Sequence, residues 1–257
     1  MKETIKLTLQ FDGTDFYGWQ RQATLPTVQG ELERALGTLY GEPLTSYGCS
    51  RTDAGVHAEA HVSHFHAPRS IPYHGLLRGL NSLLPSGIVV RHVEPVPADF
   101  SAKRCSVFKI YRYQIYNAPV RAPLLHRFSW HIPLPVEAQP MREAARALCG
   151  EHDFTSFRAA GCDARSPIRF IHHVRIEPRG ELLCFEIKGN AFLRQMVRNL
   201  VGSLVEVGRS RRPPGWIGEL LEARDRTLAG PTAPARGLVL EHVEYLEDFR
   251  EPTEFPK

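Results

Sequence analysis

The apolar residues of the first hundred positions change their spacing four times, from every second residue to a helical stripe and back. Ile5-Lys6-Leu7-Thr8-Leu9-Gln10-Phe11 alternates apolar and polar, the pattern of a half-buried strand. Thr27 is placed to cap a helix with Val28, Leu32, Ala35, Leu36 and Leu39 on one stripe, and Gly41 stands just past its end. A strand-like run follows from His57 to Phe65. A second stripe, Leu76, Leu77, Leu80, Leu83 and Leu84, stops before Pro85, and Ile88 to Val93 alternates again. This order, β-α-β-α-β, predicts a sheet with helices on one face.

The remainder begins again with a strand, Val107 to Tyr116. Phe108, Ile110, Arg112, Gln114 and Tyr116 take one side of it, and Lys109, Tyr111, Tyr113 and Ile115 the other. Aromatic residues alternating with cations suit a nucleic-acid platform, although aromatic strands are also common in plain cores. A Pro-rich connection leads to a helix with Met141, Ala144, Ala145 and Leu148. A hairpin is expected over 171–187 with its turn at Arg179-Gly180. The spacing then predicts a long helix from Asn190, its cap, to Val207, ended by Gly208, with Arg194 and Arg198 side by side outside the apolar stripe. A short helix around Trp216 and a strand over 237–243 complete the pattern. The chain therefore reads as α+β, two similar antiparallel αβ units with boundaries at 1–104 and 105–257.

Charge is uneven. Residues 1–104 balance to zero, residues 105–240 carry +8 and the tail from Glu241 carries −4. A basic second half suits a polyanion, and equally an ordinary solvated surface. The longest apolar run is too short to span a bilayer, and the first residues lack the features of a secretion signal. Five cysteines form no CxxC pair. Free thiols in a reducing cytoplasm are the expectation.

The stretch Gly48-Cys49-Ser50-Arg51-Thr52-Asp53-Ala54-Gly55-Val56-His57 concentrates more chemistry than a turn needs. Next to a guanidinium a carboxylate stays ionised and oriented, as a nucleophile or general base must be. Asp53 is the candidate reacting group, against the plainer reading of a turn cap with Arg51 as its counterion. The loop Asp15 to Gln22 holds aromatic, amide and arginine side chains that could stack on bases or simply tuck into the core. His57, His61, His64 and His66 invite a metal reading, but alternation along a strand would set the first two on one face and the last two on the other. No phosphate loop, dinucleotide fingerprint or nucleophile elbow is present, so nucleotide hydrolysis, redox cofactor chemistry and serine acyl transfer have no support.

Taken together, the motifs resemble the bacterial tRNA pseudouridine synthase A family over nearly the whole chain. The resemblance is carried by Phe11 to Thr14, Gly18 to Gln22, Arg51 to His57, Leu80 to Pro85, Tyr111 to Tyr113, Asp153 to Arg158, Gly189 to Phe192 and Met196 to Asn199. It implies a cofactor-free isomerase that converts uridine to pseudouridine at positions 38 to 40 of the tRNA anticodon arm. It further implies a homodimer with tRNA bound across both subunits, and ferredoxin- or RRM-like units whose sheets form a central RNA-binding cleft. By the same resemblance Asp53 is the catalytic aspartate and Tyr111 packs against the target base. Arg198 pairs with the carboxylate, and Arg51 helps extrude the nucleotide. The chain departs from the family's usual pattern at Ser50, where glycine is common, and at His61, where glutamine is common. Two other readings use the same residues: a non-catalytic RNA-binding module, which gives Asp53 no task, and a carboxylate-based N-glycosylase, which would release free uracil.

Overall fold

Residues 3–252 are described by a computed structural model of the chain. The fold is α+β, and its contacts divide into two units. One comprises the residues up to Val107 together with the stretch from Leu240; the other runs from Phe108 to Val239. Among the described residues, no helix is long and apolar enough to cross a membrane.

The first unit is built on β1 (Glu3–Phe11), followed by α1 (Val28–Tyr40), β2 (Tyr47–Gly48), β3 (His57–Ala67), α2 (Tyr73–Leu83) and β4 (Ile88–Val96). β1 lies between β3 and β4 and is antiparallel to both. The alternation seen in the sequence is the burial pattern: Ile5, Leu7, Leu9 and Phe11 are buried, while Lys6, Thr8 and Gln10 are not. Phe65, opposite Ile5, meets the ring of Tyr40 from α1 at 5.7 Å, which places that helix on the apolar face. Thr27 caps α1 by accepting from Gly30 N–H, a contact worth about 1 kcal/mol. Gly41 ends the helix with φ 78°.

The second unit holds β5 (Ser106–Asn117, which starts at the boundary), β6 (Trp130–Ile132), α3 (Ala138–Ala145), β7 (Gly150–Asp153), β8 (Ile168–Arg179), β9 (Leu182–Gly189), α4 (Met196–Gly208) and α5 (Trp216–Ala223). Its strands run in the order β5-β9-β8-β7, all antiparallel, with β6 parallel to β5. Lys109, Tyr111, Tyr113 and Ile115 are buried on one side of β5; Ile110, Arg112 and Gln114 lie half-buried on the other. The two faces are those that the alternation assigns, and Phe108 and Tyr116 are buried as well. The two tyrosines and the arginine face opposite ways, and Tyr113 is wholly enclosed with its hydroxyl donating to Pro234 O at 2.8 Å.

Two further expectations change. The long helix begins at Met196, not at Asn190. Asn190 Oδ1 accepts from Phe170 N–H at 3.1 Å and Ala191 N–H at 2.7 Å, so the side chain pins a loop to the start of β8 instead of capping a helix. Arg194 therefore lies before the helix, and its guanidinium donates to Ala160 O at 3.2 Å. The last strand, β10 (Leu238–Tyr245), and the described residues after it, to 252, pack largely with the first unit, although sequence order assigns them to the second half. Tyr245 donates to Ala102 O at 2.7 Å, and Phe249 lies 5.4 Å from the Phe100 ring.

Candidate active site

Two loops of the first unit interlock through their backbones. Trp19 N–H donates to Thr52 O at 3.2 Å, and Gly55 N–H to Phe16 O at 3.2 Å. Val56 N–H returns to Asp53 O at 3.1 Å and closes a turn in which Gly55 has φ 78°. The approach is too close for side chains. A Cβ on Gly13 would stand 2.0 Å from Val56 O, and one on Gly18 would stand 2.4 Å from Thr52 O. Gly13 N–H also donates to His57 Nδ1 at 3.0 Å. Asp53 thus projects, half-buried, from a turn fixed on both sides, while Arg51 is exposed beside it.

A second anchor was not apparent in the sequence. His61 is buried and stacks on Trp19 with centroids 3.8 Å apart and planes inclined by 23°. Its Nε2 lies 3.0 Å from Ser50 O and, as the donor, holds the carbonyl just before Arg51. Gly48 leaves room for this stack, since a Cβ there would meet Trp19 Nε1 at 2.5 Å. The only local signal was a polar residue at an inward position of β3.

The histidine parity argument is also corrected. Leu9 pairs with His61 but Phe11 pairs with Ala58, so three steps on β3 oppose two on β1. This bulge puts Ala58 and His61 on one face and His57 on the other. Each ring has a protein partner: Gly13 N–H for His57, Ser50 O for His61, Ala102 N–H for His64 and Thr4 Oγ1 for His66.

The second unit carries Tyr111 and Arg198. Tyr111 is 5% exposed and meets the Phe192 ring edge-on at 5.0 Å. Arg198 stands in the first turn of α4; its Nε donates to Ala233 O at 2.7 Å, and its own carbonyl accepts from Ala233 N–H at 3.1 Å. The next residue, Pro234, receives the hydroxyl of Tyr113, two positions along β5 from Tyr111. One short segment therefore braces both the strand of the tyrosine and the guanidinium.

The family described as tRNA pseudouridine synthase matches residues 144–246. The chain is 46% identical over 241 residues to a tRNA pseudouridine synthase A of Syntrophotalea carbinolica, covering 94% of this chain and 96% of that one. Proteins of the same name from Cronobacter sakazakii and Myxococcus xanthus are each 44% identical, covering 96% and 94% of this chain and 92% and 91% of theirs. The chain belongs to the tRNA pseudouridine synthase A family. A match of 241 residues in a chain of 257 must include everything from Arg51 to Arg198. As a tRNA pseudouridine synthase A the chain is an isomerase. Within it Asp53 and Arg51 are carried by the first unit, Tyr111 and Arg198 by the second.

Proposed function

We propose that this pseudouridine synthase acts on uridines 38 to 40 of the tRNA anticodon arm, with Asp53 as nucleophile or general base and no cofactor. The reaction breaks N1–C1′, turns the uracil and joins C5 to C1′; the C5 proton leaves and N1 gains one, so no atoms are lost and no electrons are exchanged. The target base must first leave its stack, at a cost of a few kcal/mol. Asp53 then attacks C1′ or C6, or removes a sugar proton. Arg198 holds the carboxylate in its charged, aimed form, Arg51 helps extrude the nucleotide, and Tyr111 stacks on the detached uracil. The observation that supports this reading most directly is the turn of Asp53, locked by peptide-to-peptide bonds where only glycines fit. Such fixity is costly for a surface cap and useful for a reacting group.

The same reading takes the two units as ferredoxin- or RRM-like modules forming a central RNA-binding cleft, in a cytoplasmic homodimer that binds tRNA across both subunits. It is supported by the antiparallel strand runs of the two units, β4-β1-β3 and β5-β9-β8-β7, and by the +8 charge of residues 105–240. Asp53→Ala should lower pseudouridine formation in unmodified tRNA by at least about a thousandfold, mapped with carbodiimide, and leave tRNA affinity within about threefold. Normal turnover by that variant would sink the assignment. Free uracil among the wild-type products would mark hydrolysis of the glycosidic bond instead.

A further inference from the structure

Resting on the role given to Arg198 above, we infer that Arg226 is a positioning residue for the reaction, acting through the segment 230–234 that seats the Arg198 guanidinium. Arg226 Nη2 donates to Asn199 Oδ1 at 3.0 Å and to Thr232 Oγ1 at 3.1 Å, and Nη1 donates to Gly230 O at 3.0 Å. Thr232 Oγ1 in turn donates to Asn199 Oδ1 at 2.7 Å. Asn199 is wholly buried, and its amide donates to Phe157 O at 2.8 Å. One guanidinium thus ties the segment to the helical residue next to Arg198.

The opposite edge of the segment is fixed to α4 by the Ser203 hydroxyl and by close backbone approach. Gly230 N–H donates to Ser203 Oγ at 3.0 Å, and a Cβ on Gly202 would stand 1.7 Å from Pro231 O, so the segment lies directly on the backbone of α4. What emerges from this clamp is Ala233, whose carbonyl and N–H hold Arg198 at both ends. Loosening the segment leaves Arg198 in place along the helix and frees only the direction of its guanidinium. Misplacement of a charged group by about 1 Å is enough to cost roughly a hundredfold in rate.

The test uses the full chain and unmodified tRNA, with single-turnover rates at saturating enzyme and tRNA affinity measured separately. Arg226→Met should lower the rate by between about tenfold and a hundredfold while affinity changes by less than about threefold. Added guanidinium ion should restore part of that rate, and Arg226→Lys should fall between the two. If Arg226→Met does not fold, Thr232→Val, which removes one partner of the same clamp, must show the same split. The inference fails if the rate is unchanged in a folded variant, or if rate, affinity and melting temperature fall together without rescue. Arg198→Ala is run alongside. An unchanged rate in that variant would overturn the role of Arg198 itself, whereas a severe loss there beside a neutral Arg226→Met and Thr232→Val would overturn only the role of Arg226.

Discussion

His64 shows how a core accepts a titratable ring. It is 6% exposed, stacked on Tyr47, edge-on to Phe100, and its Nδ1 accepts from Ala102 N–H at 3.2 Å. Burial first, and the neighbouring His66 second, push its pKa down from 6.5 to about 4; a backbone hydrogen bond with Tyr47 opposes them, and Arg104 adds a smaller push downward. The unfolded chain therefore binds more protons between those values. Stability owed to the neutral ring is complete above about pH 6.5 and is lost as pH falls through about 4. Urea unfolding should show wild type losing more stability than His64→Asn as pH drops from about 7.5 to about 4.5, since asparagine keeps an acceptor and takes no proton. Equal losses would show that His64 is not titrating in this window. At this scale the sequence singled out the candidate reacting group but not what holds its turn. Asp53 could be singled out because its neighbours are adjacent in the chain. Gly13, Gly18 and His61 could not, because what makes each necessary is a contact with residues far along the sequence: Val56 O, Thr52 O, and the pair Trp19 and Ser50 O.

Among the elements, α4 sets two effects against each other. Gly202 sits mid-helix, where replacement by alanine ordinarily gains about 1 kcal/mol. Here the new methyl would press on Pro231 O at 1.7 Å, and forced overpacking of this kind costs about 1–3 kcal/mol. The clash should win. Gly202→Ala is expected to be less stable than wild type in urea or thermal unfolding, and a neutral or stabilised variant would show that the 230–234 segment yields easily. The same contrast explains which element ends were legible. α1 could be bounded from Thr27 and Gly41 because its caps are satisfied within the helix and its own neighbours. The start of α4 was misplaced because Asn190, a good capping residue by type, spends its oxygen on Phe170 N–H instead. The parity of β3 failed for a related reason, since one extra residue between Ala58 and His61 reverses every face before it.

At the scale of the molecule, net charge was readable from composition but its availability was not. Of the arginines beyond α4, Arg211 pairs with Glu206 at 3.1 Å and Arg212 lies over the Trp216 ring at 5.0 Å. Replacing Arg209, Arg211 and Arg212 together should flatten the dependence of log tRNA affinity on log salt, by about 0.7–0.9 for each phosphate contact removed. An unaltered slope would place the phosphate contacts elsewhere on the chain. The division into units has a consequence of its own. Tyr245 and Phe249 close on Phe100 and Lys6, and the seat of Arg198 is assembled from residues 226 to 234. A ribosome delivers Asp53, Tyr111 and Arg198 before either of these pieces exists. The growing polypeptide thus carries its candidate reacting groups unfinished, and both halves come to maturity on the same late stretch of translation.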